Sequence, residues 1–255
     1  MKQYKAYAKV NIFLKMTGTR GNYHELLSRF VLVNNLYDIL TFVPKEDKAF
    51  KIEGAFSCTT QQNTIYKAYI ALLKATASES LERLMQSHAV KVEKQIPAFA
   101  GLGGGSSDAA TYLLMCNEVL HLGLSRDELS AIGAKVGADV PFFVYGYQSA
   151  NVSGIGEIVE AFEEPPLHIK TLTPNIEIST PKVYQAFREH FYKELSETEI
   201  LRLSKLSSIE VLKEQTPQEA NDLFEPALSL YPELKQHHKE GWFFSGSGSS
   251  FFTLK

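Results

Sequence analysis

Cysteine is scarce in this chain: Cys58 and Cys116 are the two in 255 residues. They form no C-x-x-C pair, so zinc and dithiol redox chemistry have little to build on. No apolar run approaches the ~18 residues of a membrane helix. The opening Met1-Lys2-Gln3-Tyr4-Lys5 leads into an alternating segment instead of an apolar leader, and the cytoplasm is the expected compartment. An excess of positive charge is missing too. Lysine and arginine number 26 against 29 acidic residues, a formal net charge of −3. No global basic field therefore points to nucleic acid. Neither an internal repeat nor a low-complexity tract stands out. What is left is ordinary globular composition, 44% hydrophobic and 22% charged, sufficient for one large domain or two modest ones.

Against that background one stretch is exceptional: Gly101-Leu102-Gly103-Gly104-Gly105-Ser106-Ser107-Asp108-Ala109-Ala110. Upstream, Val90 and Val92 alternate with charged residues toward Ile96-Pro97, as in a strand that ends at a turn. Downstream, Ala109, Tyr112, Leu113, Cys116 and Leu120 recur at helical spacing, which makes Cys116 a core residue. A glycine loop between a strand and a helix start exposes backbone N–H groups beside the positive end of the helix. Without side chains a ligand can approach the backbone closely. Such a place suits a phosphate chain. A flexible linker would not be so short, nor flanked by ordered elements. The loop lacks the lysine of a G-x-x-x-x-G-K-[ST] loop, and Ser106 stands where G-x-G-x-x-G needs its third glycine.

The remaining chain mixes strands and helices without regular alternation, which predicts an α+β fold. Residues 4–16 alternate as a half-buried strand, with Lys9 and Asn11 on one face; a strand lysine is ordinarily solvated. Gly18 to Asn22 forms a turn-rich loop that delivers Tyr23 and His24. Further strands are expected over roughly 30–43, with a bend at Asn34-Asn35, and over 51–53, 158–159, 168–172 and 176–178. Two more flank the Ser245 to Ser250 glycine-serine run. Asn63 reads as the N-cap of a helix. Ser125, Ser196 and Thr216 open capping boxes, and Thr180-Pro181 reads as N-cap and N1. Asp139 stands alone among apolar residues just past a helix that stops at Gly137. An isolated aspartate there is commonly a cap or turn former, though apolar flanks favour partial desolvation.

Five separated stretches fall in one order: Ala8-Lys9-Val10-Asn11, the Arg20 to Leu26 loop, Gly101 to Ala110, Gly137 to Phe143, and Ser245 to Ser250. In this the chain resembles the GHMP kinase superfamily over about residues 6 to 253. The triple glycine before Ser-Ser-Asp-Ala-Ala is most similar to the branch that phosphorylates a cytidine-diphosphate-bearing polyol in non-mevalonate isoprenoid precursor synthesis. The resemblance implies two domains, over 1–150 and 151–255, with the active site in the cleft between them. The first would bind ATP and the second, ferredoxin-like in its layering, would contribute to the substrate site.

The same resemblance implies the roles. Asn63, Gly101, Leu102, Gly103, Gly104, Gly105, Ser106 and Ser107 would bind ATP. Asp139 would be the catalytic base and Lys9 the catalytic cation, charges that stabilise phosphoryl transfer. Asn11 would hold substrate beside Lys9. Tyr23 and His24 would recognise cytosine, with Tyr184 as a second aromatic; alone, His24 reads as a surface or cap histidine and Tyr184 as core packing. ATP implies Mg²⁺, for which Ser106 is a candidate ligand. Two departures stand out: Arg20-Gly21-Asn22-Tyr23-His24 is one residue shorter than the family's loop, and Gln185 replaces a lysine of some relatives. No nucleic acid or membrane partner is expected, and the oligomeric state is left open. The alternatives are another superfamily member, of homoserine or mevalonate type or a decarboxylase, and a non-catalytic phosphate-binding protein.

Overall fold

The structure, a computed structural model, describes residues 2–21, 23–193 and 195–255, with only the backbone for Arg20 and Tyr23. It is α+β, as the unpatterned mixture of elements predicts. The contacts divide the chain into two compact units that interleave in sequence. Unit 1 contains Met1–Ala8, Asn34–Ile96 and Gly104–Gly146; unit 2 contains Lys9–Val33, Pro97–Gly103 and Tyr147–Lys255.

Two long strands, β1 (Tyr4–Arg20) and β2 (Tyr23–Pro44), contribute residues to both units. In unit 1, residues 39–44 of β2 pair antiparallel with β4 (His88–Glu93), and β3 (Ile52–Glu53) runs parallel to β4. Helices α1 (Thr64–Thr76), α2 (Glu79–Ser87), α3 (Gly104–Val119), α4 (Arg126–Ala134) and α5 (Val140–Tyr145) complete the unit. α3 packs against α1, α4 and α5. It is therefore buried almost all round from Ser107 to Cys116, instead of along one stripe as its spacing predicts.

β1 pairs with β2, and the elements that follow belong to unit 2. Residues 28–31 of β2 pair antiparallel with β5 (Ser149–Ser153), which pairs in turn with β6 (Ile158–Ala161). A second antiparallel sheet has the order β7 (Ile169–Leu172), β9 (Phe251–Leu254), β8 (Phe243–Phe244). Its Phe244 and Phe251 pack with Phe224. The helices are α6 (Thr180–Ala186), which continues as a π-helical turn over Phe187–Phe191, then α7 (Glu197–Lys205), α8 (Ser208–Glu214), α9 (Pro217–Ala220) and α10 (Phe224–Leu230).

Several expectations need correction. From Ala8 to Leu14 β1 is buried on both faces, so Lys9, Asn11 and Phe13 are interior residues. The expected loop at 18–22 is strand as far as Arg20, strand resumes at Tyr23, and Asn22 lies outside the described residues. β2 shows no break at Asn34-Asn35, although the units divide there. Residues 176–178 are not a strand, and Ile178 is buried from a loop. The N-cap of α6 is Ser179, one residue early, while Thr180 bonds Ser247 instead. The helix opened by Thr216 stops at Ala220, and Phe224 begins another. α2 and β5 were not anticipated, though Ser78 caps α2 and Leu81 and Met85 mark its buried side.

Unit 2 is pinned internally by Arg29 of β2, a fully buried guanidinium. It donates to Asn151 Oδ1 at 2.7 Å and to the carbonyls of Leu206 and Ser204, each at 3.1 Å. It also stacks 3.3 Å from the Phe162 ring centre. Burial pushes its pKa down to about 10, which the negative charge of Glu164 opposes. Carbonyls that lose such a donor inside a protein remain desolvated. Arg29→Met is therefore expected to lower the free energy of unfolding measured in urea by about 3 kcal/mol. A loss under about 1 kcal/mol would mean that those carbonyls find other partners.

Candidate active site

The sequence-identified residues fall into one group per unit. In unit 2 the centre is Lys9, which is 4% exposed. Its Nζ donates to Asn11 Oδ1 at 2.6 Å and lies 4.3 Å from the Phe30 ring centre. Asn11 Nδ2 donates to Ser28 Oγ at 2.9 Å, and Ser28 donates to the Phe13 carbonyl. The Lys9 N–H donates to the Leu102 carbonyl at 2.9 Å, which fixes the first part of the glycine loop on β1.

The glycine-serine run joins the same group. Ser245 Oγ donates to the Gly101 carbonyl at 3.0 Å and accepts from the Asn11 N–H at 3.4 Å. Gly101 has φ of +72°, and a Cβ there would stand 2.1 Å from the Ser245 carbonyl oxygen. Only glycine satisfies both the left-handed backbone and the close approach. Ser250 N–H donates to the Ala100 carbonyl at 3.1 Å. Asn221, which sequence reasoning missed, donates through Nδ2 to the carbonyls of Phe244 and Gly246, both at 2.9 Å. Nothing local marks it: it follows α9 and looks like a helix-end residue.

His24 is buried on the start of β2. It stacks on Tyr184, with ring centres 5.8 Å apart and planes 28° from parallel, and meets Phe187 edge-on. Arg188 Nε donates to His24 Nε2 at 3.3 Å. Burial, and then the Arg188 charge, lower the His24 pKa below its ordinary value, so the ring is neutral at pH 7. An Nε2 that accepts assigns the proton to Nδ1, and that atom is buried without a hydrogen bond among the described residues. Arg188 was also missed. It sits in the π-helical turn after α6, a local irregularity often found at functional sites. The Tyr23 side chain lies outside the described residues.

In unit 1 the N-termini of α1 and α3 are joined. Asn63 caps α1 by accepting from the Ile65 N–H at 2.9 Å, and Thr64 Oγ1 donates to the Gly105 carbonyl at 2.6 Å. α3 begins at Gly104, inside the glycine run. Its first turn places the backbone N–H groups of residues 104–107 at the positive end of a helix. Ser107 is buried; the Ser106 hydroxyl lies 3.7 Å from where a Cβ on Gly137 would stand. Asp139, two residues beyond Gly137, is half-buried at the N-cap position of α5 and does not cap it with its side chain. Among the described residues no group of three or more His, Cys, Asp and Glu could hold a metal ion. No helix among them is long and apolar enough to cross a membrane.

Known proteins resemble this chain over its whole length. Residues 63–147 match the GHMP kinases N terminal domain. A 4-diphosphocytidyl-2-C-methyl-D-erythritol kinase of Sulfurimonas denitrificans is 63% identical, covering 100% of this chain and 97% of that protein. One from Sulfurovum sp. is 48% identical over 98% of both chains. A crystal structure of 4-(cytidine 5'-diphospho)-2C-methyl-D-erythritol kinase superposes with a TM-score of 0.72 at 32% identity, covering 99% of this chain and 90% of that one.

Asn221→Ala would leave the Phe244 and Gly246 carbonyls without their donor. The expected cost is about 2 kcal/mol of stability, read by thermal unfolding. An unchanged melting temperature would count against Asn221 as the support of the glycine-serine run.

Proposed function

Because the chain belongs to the 4-diphosphocytidyl-2-C-methyl-D-erythritol kinases, within the GHMP kinases, we propose that it moves the γ-phosphoryl group of ATP to the 2-hydroxyl of 4-diphosphocytidyl-2-C-methyl-D-erythritol. This is a step of non-mevalonate isoprenoid precursor synthesis, carried out in the cytoplasm. The observation that carries the substrate assignment is the buried, neutral His24 stacked on Tyr184 with a hydrogen-bond donor to spare. Nδ1–H of His24 would donate to the N3 or O2 acceptor of cytosine. The Tyr184 ring, with Tyr23 from the start of β2, would contribute stacking of on the order of 1–3 kcal/mol per base. Homoserine and mevalonate give these groups nothing to recognise.

Phosphoryl transfer asks the protein mainly for positioning and charge stabilisation. The N–H groups of Gly103 to Ser107, with Gly101 and Leu102, would cradle the phosphates at the start of α3. Asn63 would contact the nucleotide beside the start of α1. Asp139 would accept the proton of the attacking hydroxyl, and the Lys9 ammonium would stabilise the charge that develops on the transferring group. Asn11 would orient the polyol while it holds Lys9.

ATP brings Mg²⁺. The donor set fits an ion that arrives on the phosphates, since Mg²⁺ needs few protein ligands and Ser106 offers one hydroxyl oxygen. When bound, the ion neutralises phosphate charge.

A coupled assay of ADP release tests the reading. Turnover is expected with the cytidine substrate, whereas turnover only with mevalonate or homoserine would sink it. Asp139→Asn should lower kcat by roughly 10²–10⁴-fold with little change in ATP affinity; near-normal kcat would remove it as the base. His24→Ala should raise the KM of the cytidine substrate about tenfold or more, the size of one lost buried hydrogen bond and stack. The pH dependence has a definite sign. The lowered His24 pKa keeps the ring more than half neutral at pH 6.5, so the midpoint of the rise in substrate KM on acidification should lie below that value. A rise already complete at pH 6.5 would contradict the neutral-ring account.

A further inference from the structure

One buried ionic cluster in unit 1 plays no part in the roles above. Asp38 of β2 is fully buried, and its Oδ1 accepts from the N–H groups of Gln95 and Ile96 at 2.5 and 2.8 Å. Its Oδ2 accepts from the Lys94 ammonium, which also donates to Asp108 Oδ2 at 2.7 Å. Asp38 thus meets the segment that leaves β4, and Asp108 belongs to the second turn of α3. The two elements also touch directly: a Cβ on Gly104 would stand 2.9 Å from Ile96 Cγ2 and 3.7 Å from Lys94 Nζ. The end of β4 is therefore clamped against the first residue of α3.

The cluster is chemically expensive for a packing device. Two carboxylates share one ammonium, and Asp108 Oδ1 accepts no hydrogen bond among the described residues. Burial pushes the Asp108 pKa up to about 7, against the pull of Lys94 and with the push of Asp38. Apolar residues of similar volume commonly stabilise such a position as well or better. An ionic strut does something that they do not: it fixes direction and distance between two backbone segments.

We propose that Asp38, Lys94 and Asp108 form a strut that sets the start of α3 against the end of β4, and so holds the N–H groups of residues 104–107 in the arrangement that receives the phosphates of ATP. Asp38 and Lys94 are then positioning residues for phosphoryl transfer. The inference rests on the glycine loop being the ATP phosphate site. Donors fixed in advance stabilise a phosphate more than donors that must reorganise, and small misplacements cost rate.

Asp38 makes the test sharp, because a fully buried side chain cannot itself touch the nucleotide. Asp38→Asn keeps an oxygen for the Gln95 and Ile96 N–H groups but turns an amide toward Lys94. It should raise the KM for ATP about tenfold, the scale of a lost charged hydrogen bond, and leave the KM for the cytidine substrate within about twofold. Lys94→Met should do the same, and the double variant should be little worse than Lys94→Met alone, since both break one strut. A merely structural role would lower the melting temperature and the active fraction, hence kcat, with ATP KM unchanged. That result in Asp38→Asn would overturn the proposal; should this variant fail to fold, Lys94→Met carries the same test. Ser106→Ala and Gly103→Ala serve as controls. If they too leave ATP KM unchanged, the phosphate-site reading is at fault; if they raise it while Asp38→Asn does not, only the strut is.

Discussion

The organisation of unit 2 follows from the burial of one ammonium. Lys9 is 4% exposed in a strand whose other residues are mostly apolar. A cation withdrawn from water costs several kcal/mol unless oriented dipoles replace its hydration. Asn11 Oδ1 supplies one such dipole and the Phe30 ring face another. Asn11 must then be oriented in turn. Ser28 takes its amide hydrogens, Ser28 is held by the Phe13 carbonyl, and the Asn11 backbone N–H reaches Ser245. Each link fixes the next, so the polar side of β1 is a chain of single-orientation contacts. The role proposed for Lys9 asks for a cation that cannot wander, and these contacts remove the freedom that an exposed lysine would have.

Backbone carbonyls carry that order outward. Gly101 points its carbonyl at Ser245, Asn221 holds the carbonyls on both sides of Ser245, and Thr180 and Ser247 join hydroxyls at 2.7 Å. The serines of the run are all buried where the structure counts them, Ser245, Ser247, Ser249 and Ser250 alike. A glycine-serine sequence ordinarily reads as flexible. Here its side chains have been spent on internal hydrogen bonds, and its glycines allow the backbone to fold back on Gly101. Low side-chain volume serves close approach rather than mobility.

Local chemistry was legible in the sequence, and long-range partnership was not. The cap at Asn63, the box at Ser125 and the helix that begins in the glycine run are decided by neighbours within four residues, and the structure has them all. The alternation of β1 was legible as a strand, but its burial on both faces depends on elements far away in the chain. For that reason a strand lysine such as Lys9 reads locally as solvated. Asn221, Arg188 and Asp38 were missed for the same cause. Asn221 serves carbonyls more than twenty residues on, Arg188 serves a histidine 164 residues earlier, and Asp38 serves a turn 57 residues later. Thr180 shows the reverse error: a hydroxyl beside a proline satisfies the local rule for a cap, yet the tertiary partner Ser247 wins it.

His24 illustrates how a buried neutral ring can discriminate where a charged one cannot. Arg188 donates to Nε2 and so pins the tautomer, while its charge discourages protonation of the same ring. The result is a donor of fixed position at Nδ1. Cytosine presents an acceptor at N3, whereas uracil presents an N–H there. A donor that faces a donor inside a protein leaves both desolvated and unpaired, a penalty of about 1–3 kcal/mol. An imidazolium would offer a donor at both nitrogens, repel Arg188 and lose the geometry that makes Nδ1 selective. On the proposed reading, Arg188 acts on the base through His24. The residue that lowers the histidine's basicity is also the one that gives its proton an address.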